Sequence, residues 1–345
     1  MAAPRLRRSS CSGPGITRRR RGRGFEYLDG GTPVRDRETL QRIRDLVIPP
    51  AWKDVWICRD ERGHLQAVGT DAAGRRQYLY HPAWRARQDQ LKHERVLLVA
   101  KRLPKAREEV RSAMAGRGLG QERVLACTFR LLDLGLFRVG GEEYAEENGS
   151  FGLSTLRREH VTVHGDGRLT FDYVGKSGVS RRIEVRDGDA YSVVAALARR
   201  MAPEEQLFGW TAGRRWHDVT AADVNGYVHD VLGDATAKDF RTWHATVLAA
   251  AHLAEEYADA EAAGRAPMSE RARRRAVAET MRQVSVYLGN TPAVCRASYV
   301  DPRVVDRFGE GRTVARALRG VERVEPPFDR DVQARLERAV LRLLT

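Results

Sequence analysis

The chain has 345 residues, 42% of them apolar, with a formal net charge of +14 and a pI of about 10.1. That length suits about two domains with a proper core, and the charge calls for a polyanionic partner without specifying a fold. No apolar run reaches membrane-span length, no apolar signal core accompanies the basic start, and Cys11, Cys58, Cys127 and Cys295 form no C-x-x-C pair, which disfavours membrane spans, zinc sites and disulfide frameworks.

An intracellular, reducing setting is expected. Only six of the sixty basic residues are lysines: Lys53, Lys92, Lys101, Lys105, Lys176 and Lys238. Arginine grips phosphate bidentately and stays charged, whereas lysine yields a proton more readily. A lone lysine in such a chain is therefore a candidate for proton transfer.

Residues 1–23 are rich in arginine, glycine and serine, with Arg18 to Arg21 consecutive. They are expected to form a basic, flexible arm, either lying on phosphates or simply solvated. Residues 24–98 are expected to form a small β-rich domain. Trp56-Ile57-Cys58 and His64 to Thr70 flank a turn at Asp60 to Gly63 and read as a hairpin. The next segment, Gly74 to His81, interleaves Arg75, Arg76 and Gln77 with Tyr78 and Tyr80. It can set polar side chains against a DNA groove while tyrosines touch phosphate, although the same alternation also serves core packing.

Residues 99–345 are expected to form a larger, mainly helical domain, so the fold class is α+β. Helical spacing covers residues 83–115 and Glu122 to Leu134, after which a turn at Gly135 precedes Phe137 and Arg138. A small sheet interrupts the helices. Strands are expected at His160 to Val163, Leu169 to Val174 and Val179 to Val185, with Gly175-Lys176-Ser177-Gly178 as a hairpin tip. Apolar residues share one face from residue 236 onward, with Arg241 beside it. A helix over Arg271 to Leu288 ends at Gly289. Asn290 or Thr291 caps a short helix with Pro292 in its first turn and Tyr299 more than two turns along. Residues 327–345 read as a terminal amphipathic helix.

These residues suit attack on a phosphodiester, a poor electrophile whose charge repels nucleophiles. Tyr299 can supply the nucleophilic oxygen. Arg138 and Arg241 can cradle the non-bridging oxygens in the more charged transition state. Asn290 can donate through its amide, or serve only as a helix cap. Lys176 can protonate the departing 5′-oxygen. A covalent tyrosyl phosphate keeps the energy of the broken bond, so no ATP or redox cofactor is required. No phosphate-binding Gly-rich loop is present, and a divalent cation is at most stimulatory.

Five motifs occur together: Phe137-Arg138-Val139-Gly140, Gly152 to Leu156, Val174-Gly175-Lys176, Lys238 to Thr242, and Thr291-Pro292 through Tyr299. In combination they resemble the type IB DNA topoisomerases, specifically the compact branch shared by poxviruses and bacteria, over about residues 24–310. The resemblance implies catalytic roles for Arg138, Lys176, Arg241 and Tyr299, a 3′-phosphotyrosyl linkage, and relaxation of both supercoil signs. It implies a β-rich domain and a helical catalytic domain clamping duplex DNA, with Arg75 to Tyr80 as a major-groove surface and Lys238 as a further DNA contact. A monomer without an obligate protein partner is expected. The poxviral pattern has histidine at Asn290, so oxyanion stabilisation there lacks a charge. The competing readings are a tyrosine recombinase, against which Lys238-Asp239-Phe240-Arg241 lacks the usual His-x-x-Arg, and a non-enzymatic DNA-binding protein.

Overall fold

The computed structural model describes residues 5–142, 145, 149–200, 205–213, 215–326 and 328–345. The chain divides into two compact units, Met1–Lys92 and His93–Thr345.

The first unit is built on a six-stranded antiparallel sheet in the order β3-β2-β1-β4-β5-β6. Its strands are β1 (Ile16–Arg21), β2 (Gly24–Asp29), β3 (Thr32–Pro33), β4 (Lys53–Ile57), β5 (Leu65–Thr70) and β6 (Arg76–Tyr80). Helix α1 (Arg37–Asp45) starts where the Asp36 side chain accepts from the Thr39 amide. Ile16, Ile43, Val55, Ile57 and Ala67 form the core here.

The basic stretch departs from the expected free arm. Residues 1–4 lie outside the described residues, but Arg18 to Arg21 belong to β1, paired with β2 across a tight turn at Gly22. Local compensation explains this. Arg19 and Arg21 both pair with Glu26 on the facing strand, and Arg18 donates to the carbonyls of Ile48, Pro49 and Trp52. Cross-strand charge pairs and a buried Ile16 make a strand from a run that reads as a solvated tail.

The second unit is mainly helical. Helix α2 (Pro82–Met114) contains the boundary between the units, and α3 (Gln121–Asp133) follows. Next come β7 (Val161–Val163), β8 (Arg168–Gly175) and β9 (Val179–Arg186), a three-stranded antiparallel sheet, then α4 (Gly188–Ala198). A hairpin, β10 (Gly209–Ala212) and β11 (Arg215–Asp218), leads to α5 (Ala221–Leu232). Then follow α6 (Ala237–Ala262), α7 (Glu270–Leu288), α8 (Pro292–Ser298), α9 (Pro302–Gly309) and α10 (Arg330–Leu344). The α+β expectation holds.

Helix α6 is the central element. From Phe240 to Ala251 every side chain is buried, including Trp243. A helix buried on every side over this stretch, polar Arg241, Thr242, His244 and Thr246 included, must be surrounded, and its small alanines let neighbours approach closely. Its start is fixed by a capping box between Thr236 and Asp239, and Asp239 also accepts from Arg95.

Candidate active site

The Arg138 segment is held from both sides. Helix α3 ends at Leu134, and Gly135 takes a left-handed φ of +75°. A Cβ at Gly135 would lie 2.8 Å from His244, so only glycine fits the turn. Phe137 is fully buried, edge-on to Phe171 with centroids 5.1 Å apart. Beyond Arg138, the backbones of Gly140 and Gly152 touch: a Cβ on Gly152 would sit 2.5 Å from Gly140 Cα and N. Leu153 N–H donates to the Arg138 carbonyl at 2.8 Å, and Ser154 N–H to the Val139 carbonyl at 2.7 Å. The Gly152 to Thr155 turn thus fixes the Arg138 backbone.

Lys176 follows β8 at the tip of the β8–β9 hairpin and is exposed. The register pairs Gly175 with Val179 and Tyr173 with Arg181. Along β8 the inward residues are Leu169, Phe171, Tyr173 and Gly175, so the sheet is anchored up to the residue before Lys176.

Arg241 lies in α6 and is only 3% exposed. Its Nη2 donates to the Leu288 carbonyl at 2.7 Å, while its Nε has no hydrogen-bond partner among the described residues. Helix α7 ends at Gly289 with a left-handed φ of +62°. Three consecutive carbonyls at this helix end each accept from a different arginine: Tyr287 from Arg181, Leu288 from Arg241 and Gly289 from Arg138. The negative end of the helix dipole thereby gathers three guanidinium groups.

Asn290 follows, and its side-chain oxygen accepts from Arg138. A guanidinium only donates, so this contact orients the amide, and Asn290 Nδ2 is buried with no partner among the described residues. Thr291, rather than Asn290, caps α8, its side chain accepting from the Val294 amide.

Tyr299 does not lie within α8, as expected from spacing, but caps its end. The helix closes at Ser298 and Tyr299 leaves helical geometry with φ −125° and ψ −36°. Asp301 and Pro302 start the next helix, which cuts α8 short. The Thr246 hydroxyl from α6 reaches the Tyr299 carbonyl at 3.4 Å. The Arg241 guanidinium carbon lies 5.4 Å from the Tyr299 ring centroid.

A small cleft is lined by Arg138, Tyr173, Lys176, Arg181 and Arg241 together with Gly289 and apolar neighbours. It presents four cations and no carboxylate among its described lining. Burial, and next the nearby Arg138, pull the Arg241 guanidinium below its ordinary pKa, with Tyr299 opposing. Such a cluster of like charge around unsatisfied donors is suited to anionic oxygens. Asn290 and Tyr299 do not line the cleft. They connect to it through Arg138 and Arg241.

Arg181 was not singled out from the sequence. Its signal is positional: it shares the inward face of β9 with Ile183 and Val185, where an apolar residue is the rule. Below the site, Arg107 holds Asp133 and Glu337, and Arg130 holds Asp133 and Asp187. Burial works against the Asp133 charge, yet Arg107, His244 and Arg130 hold its carboxyl well below the usual range.

In the first unit, β6 exposes Arg76, Tyr78 and Tyr80 on one face, with the two tyrosine rings stacked at 6.3 Å. Arg75 and Gln77 are bound to Asp71, which stiffens the preceding turn. Lys238 is exposed in the first turn of α6. Among the described residues no group of His, Cys, Asp and Glu could hold a metal ion, and no helix is long and apolar enough to cross a membrane.

Comparison with known proteins supplies the family. The chain is similar to DNA topoisomerase 1B of Acanthamoeba polyphaga mimivirus, 29% identical over 83% of this chain and 85% of that protein. It is 22% identical to DNA topoisomerase 1B of Vaccinia virus (strain Copenhagen) over 78% of this chain and 81% of the relative. DNA topoisomerase 1 of Candidozyma auris is 28% identical over 36% of this chain, which spans 16% of that longer protein. Residues 24–71 match the family described as bacterial DNA topoisomerase IB, N-terminal domain. Residues 81–311, most of the chain, match eukaryotic DNA topoisomerase I, catalytic core, and the chain therefore belongs to the type IB DNA topoisomerases.

Proposed function

We propose that this chain relaxes positively and negatively supercoiled DNA by transient cleavage of one strand, acting in the manner of the compact poxvirus-like and bacterial branch. The observation that carries the reading is the cleft holding Arg138, Lys176 and Arg241, with Arg241 also beside the Tyr299 ring. The choice of branch rests on alignment over 83% and 78% of this chain with the two viral relatives and on the bacterial-type N-terminal match.

In this reading the Tyr299 hydroxyl oxygen attacks the scissile phosphorus. A P–Oη bond forms and the P–O5′ bond breaks. The phenolic proton passes to water, and the Lys176 ammonium gives a proton to O5′. Arg138, Arg241 and the Asn290 amide stabilise the charge on the non-bridging oxygens. The free 5′-hydroxyl then attacks the 3′-phosphotyrosine, which restores the strand and Tyr299. Oxidation states do not change and no nucleotide is consumed. The exposed face of β6 and Lys238 serve as DNA contacts, and the enzyme works as a monomer.

The test is relaxation of plasmids of either supercoil sign, with EDTA and without ATP, by wild type and Tyr299→Phe. Relaxation of both signs by wild type alone supports the proposal. Tight DNA binding by folded wild type without relaxation contradicts it. Strand transfer between two matched duplexes would instead indicate a recombinase.

A further inference from the structure

We propose that Arg181 is a positioning residue that fastens the Lys176 hairpin to the turn carrying Asn290, an inference that rests on the cleavage chemistry proposed above. Arg181 lies on β9 five positions beyond Lys176 and stands opposite Tyr173 in the register. Its side chain runs between two glycines. A Cβ on Gly175, the residue before Lys176, would lie 3.1 Å from Arg181 Cγ. A Cβ on Gly289, the residue before Asn290, would collide with Arg181 Nη1. Both glycines therefore leave room for this one side chain.

The far end of Arg181 spans two further segments. Nη2 lies 3.4 Å from the Leu136 carbonyl, two residues before Arg138, and 3.4 Å from the Tyr287 carbonyl at the end of α7. These are long contacts, weak individually, but they converge on one planar group. Arg181 thus touches the neighbours of Lys176, Arg138 and Asn290. It also lines the cleft that holds Arg138, Lys176 and Arg241, where it adds a further positive charge. The Phe151 amide holds β8 at the Val174 carbonyl at 2.7 Å, and Arg181 adds a tie from β9 to the Leu136 and Tyr287 carbonyls, which keeps the exposed Lys176 within proton-transfer reach of a leaving oxygen.

The experiment uses single-turnover cleavage of a duplex with a mapped cleavage site, carrying either the ordinary phosphodiester or a 5′-bridging sulfur. Sulfur leaves without needing a proton donor, so the pair of substrates reports on Lys176. Wild type, Lys176→Ala, Arg181→Ala and Arg181→Lys are compared. Arg181→Ala is expected to slow the ordinary substrate by about tenfold or more and the sulfur substrate far less, with Arg181→Lys in between. Equal slowing of both substrates by Arg181→Ala, while Lys176→Ala still discriminates between them, overturns the inference, as do unchanged rates. If Arg181→Ala does not fold, Arg181→Lys carries the same comparison. Failure of wild type to cleave either duplex contradicts the proposed function itself. Failure of Lys176→Ala to discriminate removes its general-acid role, and the role of Arg181 falls with it.

Discussion

Arg138 and Asn290, 152 positions apart in the chain, share a hydrogen bond in which the guanidinium donates to the side-chain oxygen. The contact orders the arginine and turns the Asn290 amide so that Nδ2 is left unpaired and buried among the described residues. Asn290→Ala should lose both the donor and the arginine's partner, slowing cleavage by about tenfold to a thousandfold. Asn290→Asp keeps an acceptor for Arg138 but sets a negative charge where the proposed reaction gathers phosphate oxygens, so it should be slower still. Single-turnover cleavage rates check the order. An aspartate variant faster than the alanine variant would contradict a donor role for Nδ2.

The contact between Gly140 and Gly152 makes a second expectation. Gly152→Ala places a methyl 2.5 Å from the Gly140 backbone, which no side-chain rotation can relieve. The turn must move, and with it the two amides that bind the Arg138 and Val139 carbonyls. A loss of about 1–3 kcal/mol in stability is expected, with a larger proportional loss of cleavage than of DNA binding. Chemical denaturation and binding measured on the same preparation check it. Wild-type cleavage in a destabilised Gly152→Ala would separate the turn from the site.

The buried charge network sets an acid limit. Asp133 is held below the ordinary carboxylate range in the folded chain, because Arg107, His244 and Arg130 outweigh the cost of burial. As pH falls, the unfolded chain takes up this proton first, near pH 3.9 for a free aspartate, while the folded chain resists it. The contribution of Asp133 is therefore complete above that value and is lost progressively below it. Asp133→Asn should cost about 3–5 kcal/mol at neutral pH by stranding buried arginine charge, and should flatten the acid limb. Urea melts from about pH 7 to about pH 3 check both. A variant whose curve runs parallel to wild type would show that Asp133 does not shape the limb.

Much of this architecture was legible in the sequence. Helical spacing marked α2, α3, α6 and α7, and Gly175-Lys176-Ser177-Gly178 marked the hairpin, because these signals are local. Pro292 and Gly289 bracketed the start of α8. The strand made from Arg18 to Arg21 was not legible, since four like charges in a row carry no alternation and their partners, Glu26 and three carbonyls, lie elsewhere. Arg181 was hidden for a related reason. Arg181 and Arg182 are adjacent in the chain, and only the register shows which one faces inward. The Arg107 to Glu337 pair spans 230 positions and has no local signature at all.

Cysteine reactivity gives an independent check of burial around the site. Cys295 is fully buried, and burial pushes its thiol up to about 11 against the opposing pull of Arg241 and Arg138. Cys127 is raised for the same main reason, burial. Cys11 is the least buried of the four. Iodoacetamide at neutral pH should label Cys11 well before Cys58, Cys127 or Cys295, as read by peptide mass mapping. Early labelling of Cys295 would contradict the packing of α8.

In the proposed reaction Tyr299 becomes joined to the 3′ end of a broken DNA strand. The most direct measurement traps the cleaved complex on a duplex with a mapped site, digests the protein, and sequences the DNA-bearing peptide by mass spectrometry while the released strand end is typed. One modified residue is expected, Tyr299, in a 3′-phosphotyrosyl linkage, with a free 5′-hydroxyl on the other strand end. An adduct on a different residue, or a 5′-phosphoryl linkage, would contradict it.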